Sequence, residues 1–290
     1  MKKAFIQLHI AVFLAGFTGI LGKLIHLNEG LLVWYRLLIS AITMWILFSI
    51  TGQLKRISKK DLLKITGVGF IAALHWVSFY GAIKYANVSV ALVCFSAVGF
   101  FTALLEPLLL KKPFVWREVL LGVLVMIGIY IIFHFDPQYK TGIIIGVISA
   151  ILGAIFPIYN RRLMQHMNAP TLMTYELTGG LITLSILMPF YIQQFPPAYF
   201  IPTLSDWGWL LVLSWCCSVL AFQFSANALK KISAFTVNLT YNLEPVYGIL
   251  LAFVVYQENK YLHASFYAGL AIIMLAVALQ TLRVYWQKAN

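Results

Sequence analysis

Charged residues are scarce in this chain, and acidic residues are scarcer than basic ones. Of the 290 residues, 10% are charged, with 9 acidic against 21 basic side chains. Hydrophobic residues make up 61%, and the mean hydropathy is +0.87. A soluble domain of this composition would expose an apolar surface, because too few polar side chains remain to cover it. The composition therefore excludes a soluble protein and predicts a membrane protein.

The side chains that usually form metal or catalytic centres are also few and dispersed. The three cysteines (Cys94, Cys216 and Cys217) lie inside apolar stretches without the spacing of a metal site, so we expect structural thiols. No His and acidic residues cluster within one helical turn inside an apolar stretch, and no phosphate-binding glycine loop is present. We therefore expect no cofactor, no metal and no catalytic residue, which argues against an intramembrane enzyme.

Ten apolar stretches fill most of the chain. About 20 helical residues cover the ~30 Å hydrocarbon layer of a bilayer, and each stretch has about that length. The first follows Lys2 and Lys3 and resembles a signal sequence, but nine further stretches follow, so we expect it to be retained as a helix. The predicted spans are 4–22, 31–51, 62–83, 88–110, 117–135, 141–160, 171–192, 207–228, 234–256 and 263–284.

The basic residues alternate between the gaps. Sixteen Lys and Arg residues precede the first span or follow an even-numbered span, whereas the other gaps hold at most one each (Lys23, Lys84, Lys140 and Lys260). Short loops rich in Lys and Arg stay in the cytoplasm. The pattern predicts an inner (plasma) membrane protein with both termini cytoplasmic. It also accounts for the net charge of +12, so we expect no nucleic-acid partner.

The chain contains a weak internal duplication. The segment from Asn28 to Arg36 resembles the segment from Asn168 to Glu176, which lies 140 residues later. Each opens the second span of a five-span half, and because five is odd, the second half must cross the membrane in the opposite direction. Inverted repeats are typical of alternating-access transporters. We therefore predict an all-α membrane protein of ten helices in two inverted five-helix repeats, residues 1–140 and 141–290.

Parts of the second half resemble a known family. Residues 232–248 read ISAFTVNLTYNLEPVYG, residues 256–259 read YQEN, and residues 142–162 resemble the start of a repeat. These segments resemble the EamA-type family of the drug/metabolite transporter superfamily. The first half departs from the pattern, because Glu106-Pro107 comes later in its span than Glu244-Pro245 does, and Lys112 stands where an acidic residue is expected. The resemblance implies an exporter of small organic metabolites such as amino acids.

The strongest candidate for a substrate residue is Glu244, near the middle of the ninth span. An ionisable group there costs from ~2.5 kcal/mol upward and usually faces the bundle interior or a water-filled cavity. Pro245 predicts a kink beside it, and Asn238, Tyr241 and Asn242 precede it. Glu244 would bind a substrate amine or a proton; the alternative is a protonated acid that only shapes the kink.

An aromatic group in the third span is the second candidate. Trp76 and Tyr80 share a helical face at four-residue spacing, and His75 stands beside them. Such a group suits aromatic or cationic solutes, and we predict that His75, Trp76 and Tyr80 line the substrate cavity. A buried structural histidine is the alternative for His75.

Four more polar residues are predicted to line the gates or the pathway. Arg36 and Glu176 occupy equivalent positions in antiparallel spans, so we expect them at opposite depths, as two gates rather than one ion pair. The alternative for Arg36 is to extend to the headgroups. Gln223 and Asn227 lie one turn apart in the eighth span and could line the pathway or bond neighbouring helices.

The resulting hypothesis is a secondary transporter that works by alternating access through a central cavity. Its expected partners are a small-molecule substrate and the lipid bilayer, and the sequence specifies no oligomeric state. A passive channel and a non-transporting membrane scaffold remain alternatives, and saturable, coupled flux would separate a transporter from a channel.

Overall fold

The computed structural model describes residues 2–229, 231, 237 and 240–289. Every regular element within these residues is helical. The helices are α1 (Lys2–Leu24), α2 (Glu29–Ile50), α3 (Lys59–Tyr85), α4 (Val88–Phe95), α5 (Val98–Leu110), α6 (Trp116–Phe135), α7 (Lys140–Leu163), α8 (Ala169–Gln194), α9 (Leu204–Ser214), α10 (Ala221–Leu229), α11 (Glu244–Tyr256) and α12 (Ala264–Ala289). A π-helical turn, Trp215–Leu220, joins α9 to α10.

In the described ranges, nine helical stretches are long and apolar enough to cross a membrane. Two of them are composite, since α4 with α5 forms one stretch and α9 with the π turn and α10 forms another. The shorter α11 has 13 residues. It forms the second part of the predicted ninth span, 234–256, whose first part is only partly described. The all-helical membrane architecture predicted from composition is thus confirmed, with boundaries close to those expected.

Helices α2 and α8 run in opposite directions, and contacts between their ends define two faces of the bundle. The Asn28 side chain, before α2, donates to the Phe195 carbonyl after α8 (3.2 Å). At the other end, the Asn168 side chain, before α8, donates to the Gln53 carbonyl after α2 (2.7 Å). We call the face where α1 begins the amino-terminal face and the other one the opposite face.

The same two asparagines begin their helices. The Asn28 side chain accepts from the Leu31 N–H, and the Asn168 side chain accepts from the Thr171 N–H. Each amide oxygen therefore caps an N–H that has no intrahelical partner, which is why asparagine favours this position. The paired segments noticed in the sequence are thus equivalent helix starts at opposite faces.

Glycine allows two of the helix crossings to be close. A Cβ atom on Gly16 of α1 would lie 2.8 Å from the Glu244 carbonyl oxygen and 2.9 Å from the Gly248 nitrogen of α11. A Cβ atom on Gly69 of α3 would overlap the Glu176 carbonyl oxygen of α8. Small residues at such crossings let backbones approach, which is how helices associate in membranes. Both membrane-embedded glutamates therefore lie beside a glycine crossing.

The outward surface of the bundle is apolar. Large hydrophobic side chains such as Ile46, Ile186 and Val254 are 57%, 64% and 78% exposed. In a bilayer such side chains face lipid tails, so their exposure needs no soluble partner. The polar side chains Arg36 and Glu176 are instead buried in the bundle, away from the lipid-facing surface.

Candidate functional site

Two of the membrane stretches are interrupted at equivalent positions. Between α4 and α5, Ser96 and Ala97 form a turn, and α5 begins at Val98. Asn242 and Leu243 form the same turn 146 residues later, and α11 begins at Glu244. Discontinuous helices in transporters form the substrate and ion sites near the bilayer midplane. Glu244 is thus the first residue of a half-helix, a placement that hydropathy alone did not predict.

Both half-helices end in the same way. Lys111 follows α5 and Gln257 follows α11, each with a φ of 53°. Non-glycine residues rarely adopt this left-handed conformation, although it is a common way to end a helix. α5 and α11 therefore begin after the same two-residue turn and end in the same conformation.

Arg36 lies at the centre of a buried polar cluster. It is 5% exposed, its Nε donates to Ser218 Oγ (3.1 Å), and its Nη1 donates to Tyr80 Oη (2.9 Å). The guanidinium carbon lies 4.4 Å from the centre of the Trp76 ring, within the range of a cation–π interaction. Arg36 therefore points into the bundle rather than toward headgroups, and it joins the predicted pair Trp76 and Tyr80.

Ser218 was not a candidate from the sequence. It lies in the π turn, where its hydroxyl donates to the Leu213 carbonyl (3.3 Å). Ser214, just before the turn, donates its hydroxyl to the Arg36 carbonyl (3.4 Å). A π turn inserts an extra residue per turn and often marks a functional position. The shifted register directs Ser218 to Arg36, and no sequence spacing signals such a shift.

Glu244 begins α11 and forms no ion pair with another described residue. Glu244 is half-buried and the neighbouring Asn242 is exposed. The Tyr241 hydroxyl bonds with Ser225 of α10. Three of the four predicted ninth-span residues therefore gather at the interruption, and Asn238 lies outside the described residues.

His75 lies on another side of α3. Its Nδ1 is 2.9 Å from the Ser149 carbonyl and 3.0 Å from the Ser149 hydroxyl of α7. The rings of Phe79, Phe95 and Phe156 surround it at centroid distances of 6.3, 5.5 and 5.6 Å. The structure thus separates His75 from the Trp76 and Tyr80 contacts with Arg36, and its role in substrate binding stays a prediction.

The remaining pathway candidates are spread over α8 and α10. Glu176 is 4% exposed and accepts a bond from the Asn160 side chain (2.8 Å). Its partner differs from those of Arg36, in keeping with the expectation that these two residues do not form an ion pair. Gln223 and Asn227 are half-buried on α10, the helix that carries the Ser225 partner of Tyr241.

A second polar cluster, centred on Glu258, lies at the opposite face. Its carboxylate accepts from the Val88 N–H (3.2 Å), the Ser89 N–H (2.9 Å) and the Ser89 hydroxyl (2.7 Å) at the start of α4. It also pairs with Lys23 of α1 (3.0 Å), and the Lys23 ammonium lies 4.3 Å from the Tyr256 ring centre. Glu258 thus joins α1, α4 and α11. The sequence singled it out only as a helix-ending acid.

No group of three His, Cys, Asp or Glu side chains suited to a metal ion occurs within the described residues. Three buried charged groups have described partners instead: Arg36 bonds two hydroxyls and lies against Trp76, Glu176 accepts from an amide, and Glu258 binds N–H groups, a hydroxyl and Lys23.

Comparison with known proteins identifies the family. The model of the EamA-like transporter family matches residues 2–134 and again residues 140–282. The two matches together cover nearly the whole chain, so the chain belongs to the EamA-like transporter family. It is a multi-pass membrane transporter, as the sequence resemblance predicted.

Relatives and solved structures agree with this assignment. The uncharacterized transporter YetK of Bacillus subtilis is 23% identical over 287 residues, which cover 93% of this chain and 84% of YetK. An uncharacterized transporter of Haemophilus influenzae is 22% identical, over 78% of this chain and 74% of its own. One crystal structure of a protein with 15% identity superposes with a TM-score of 0.65 and covers 99% of both chains. That identity supports the fold alone.

Proposed function

We propose that the protein is a secondary transporter that moves small organic metabolites, such as amino acids, by alternating access through a central cavity. The observation that carries the proposal is the buried Arg36, which bonds two hydroxyls and lies against the Trp76 ring but forms no ion pair among the described residues. A scaffold would have no reason to keep a charge without a counterion inside a bilayer, where it is costly.

Two inverted five-helix halves, residues 1–140 and 141–290, would supply the moving parts. The family model matches each half once. The packing between the halves is reciprocal. The first helix of the first half, α1, packs on α10 and α11 of the second half. The first helix of the second half, α7, packs on α3 and on α4–α5 of the first half. The α2–α8 and α6–α12 pairs exchange with themselves. Such reciprocal packing supports ten spans related by a two-fold axis in the membrane plane.

The orientation follows from charge. The amino-terminal face carries the larger share of the Lys and Arg residues, which favours its location in the cytoplasm of a cell with an inner membrane. The Glu258 cluster would then close the outer side. We assign export as the direction of transport on the strength of the family resemblance.

The predicted residues take separate roles in this scheme. Glu244, Tyr241, Asn242 and Asn238 would line the floor of the cavity, and Trp76 and Tyr80 would line its wall, with His75 behind them. Arg36 would lie toward the outer gate and Glu176 toward the inner one. Gln223 and Asn227 would line the pathway along α10.

Counterflow in proteoliposomes tests the proposal. Vesicles containing the purified protein are loaded with excess unlabelled L-amino acids and diluted into labelled ones. A transporter produces a transient accumulation that saturates with substrate concentration, whereas a channel gives flux without accumulation. Flux no greater than in protein-free vesicles, for amino acids, amines and carboxylic acids alike, would contradict the proposal.

A further inference from the structure

We propose that a basic cavity between the ends of α5 and α7 binds the phosphate group of an anionic phospholipid. The cavity lies at the amino-terminal face, because α7 ends shortly before Asn168, whose contact with Gln53 marks that face. Its volume is about 540 Å³, and it is lined by Lys111, Lys112, Arg161 and Arg162 together with Leu109 and Leu110. It shares no residue with the Arg36 cluster, so the inference does not rest on the proposed transport function.

The first step is the depth of the cavity in the membrane. Leu108 and Leu109, in the last turn of α5, are exposed, and the helix ends at Leu110. The basic side chains therefore begin where a lipid-facing apolar stretch ends. Trp116, which begins α6, is also exposed and stacks on Phe114. Since exposed aromatic rings near the end of a span lie at the headgroups, the cavity is at the depth of lipid phosphates.

The second step is an excess of positive charge. Among the described residues, one carboxylate pairs with the cavity side chains: Glu106 contacts Lys112 (2.8 Å) and Arg161 (3.4 Å). None of the described ion pairs includes Lys111 or Arg162. Four basic side chains and one carboxylate leave three positive charges unbalanced. The C-terminal ends of α5 and α7 offset about half a charge each, so the cavity stays positive.

The third step is that the basic groups converge from two separate segments. α5 and α7 pack against each other, which brings two lysines beside two arginines in one concave surface. Orientation of the protein in the membrane requires no such convergence, because it depends on the number of basic residues in each loop. Guanidinium groups bind phosphate oxygens bidentately, and ammonium groups add point charges. Basic pockets between membrane helices bind lipid headgroups by this chemistry.

The fourth step is a comparison with the end of α11. Lys111 and Gln257 end α5 and α11 in the same left-handed conformation, and the next residues are Lys112 and Glu258. Glu258 is buried and bonded to N–H groups of α4 and to Lys23. The end of α11 is thus occupied by groups of the protein itself, whereas the end of α5 presents exposed cations to the cavity. An anion from the lipid can bind there.

The test compares two lipids with the same phosphate and the same acyl chains, dioleoyl phosphatidylglycerol and dioleoyl phosphatidylcholine. The choline group of the second cancels the phosphate charge. Each lipid is titrated into the purified protein in a neutral detergent, and the rise in unfolding temperature gives the half-saturating lipid concentration. We expect this concentration to be at least about tenfold lower for phosphatidylglycerol, because each basic side chain near an anionic lipid contributes about fivefold in affinity.

Two double variants with the same net charge locate the effect. Lys111→Gln with Arg162→Gln should weaken phosphatidylglycerol binding by about tenfold or more. Glutamine suits the left-handed conformation, as Gln257 shows at the end of α11, so the unfolding temperature without lipid should match the wild type. The control, Lys59→Gln with Lys60→Gln, removes two exposed lysines at the start of α3, outside the cavity. It should bind phosphatidylglycerol like the wild type.

The other outcomes would overturn the proposal. Equal half-saturation by the two lipids would show that the phosphate charge is not recognised. An equal affinity for phosphatidylglycerol in the two double variants would show attraction to the overall charge of the protein rather than binding in the cavity. Glycerol 3-phosphate supplies a phosphate without acyl chains, and stabilisation by it at the same concentration as phosphatidylglycerol would indicate a site for a soluble phosphate instead of a lipid.

Discussion

The two interrupted stretches share a backbone and differ in chemistry. α5 begins with Val98 and α11 begins with Glu244, although the same two-residue turn precedes both. Past the left-handed residue that ends each helix, α5 is followed by Lys112 and α11 by Glu258. The same turn and the same helix ending therefore occur in both segments, whereas an acidic residue stands after the turn and after the helix end only beside α11.

The difference has a mechanical consequence. Glu258 bonds α4 and pairs with Lys23 of α1 at the opposite face. Lys112 instead pairs with Glu106 of the preceding α5 (2.8 Å), and Arg161 of α7 joins at 3.4 Å. The amino-terminal face therefore has a weaker and more exposed connection, and we expect it to open more readily.

The largest effect is expected from Glu258→Ala. This variant removes a carboxylate that is 4% exposed and leaves two N–H groups and a hydroxyl without their acceptor. Breaking such a buried cluster costs about 3 kcal/mol, which thermal unfolding in detergent should register as a clear drop. Glu118→Gln is the control, because its pair with Arg283 (3.7 Å) is partly exposed and worth less than about 1 kcal/mol. Equal unfolding temperatures for the two variants would contradict the stabilising role assigned to the Glu258 cluster.

Glu244→Gln tests the other acidic position. We expect amino-acid binding, followed by ligand-induced stabilisation of the purified protein, to weaken by about ten- to a hundredfold, because a charged hydrogen bond is worth about 1.5–3 kcal/mol. Val98→Thr changes the equivalent residue of the first half at nearly constant volume and should bind like the wild type. A loss of equal size in both variants would show that the two interruptions are not functionally distinct.

Gly16→Ala tests the packing behind Glu244. The added Cβ meets backbone atoms of Glu244 and Gly248, which cannot move aside as a side chain can, so we expect a loss of about 1–3 kcal/mol. Gly99→Ala is the control beside the first-half interruption, where a Cβ would meet nothing within 4 Å. The free energy of unfolding of Gly99→Ala should stay within about 1 kcal/mol of the wild-type value. A Gly16→Ala variant as stable as Gly99→Ala would contradict the close crossing.

The smallest effect is expected from Lys112→Gln. The Lys112 side chain is 49% exposed, and exposed ion pairs contribute about 0–1 kcal/mol. Unfolding should therefore change little, in contrast to Glu258→Ala. A loss of stability as large as that of Glu258→Ala would show that the polar contacts at the two faces are equally strong.

The membrane architecture was predictable because it depends on composition and length. Apolar runs fixed the stretches, and the similarity of the Asn28 and Asn168 segments correctly marked equivalent helix starts. The shared face of Trp76 and Tyr80 also followed from helical spacing, since both contact Arg36. Periodicity within one helix does not reveal which neighbour each face meets, so the separate surroundings of His75 could not be foreseen.

The interruption between α4 and α5 was hidden for another reason, whereas Pro245 had indicated a kink beside Glu244. Ser96 and Ala97 lie within a continuous apolar run that contains no proline near the turn, and a two-residue turn leaves hydropathy unchanged. The π turn that brings Ser218 to Arg36 likewise alters register without a sequence mark. Such local departures are decided by tertiary packing, and in this protein they carry the candidate site.

Alkylation of a cysteine at position 242 tests alternating access in the protein itself. Asn242 is exposed at the interruption, and replacing Cys94, Cys216 and Cys217 with alanine leaves Asn242→Cys as the sole thiol. A membrane-impermeant maleimide is added separately to each face, with and without Glu258→Gln. We expect fast labelling from the amino-terminal face. Labelling from the opposite face should be slow in the protein that keeps Glu258 and faster in the Glu258→Gln variant. Equal labelling from both faces in the Glu258-containing protein would indicate an open channel and contradict alternating access.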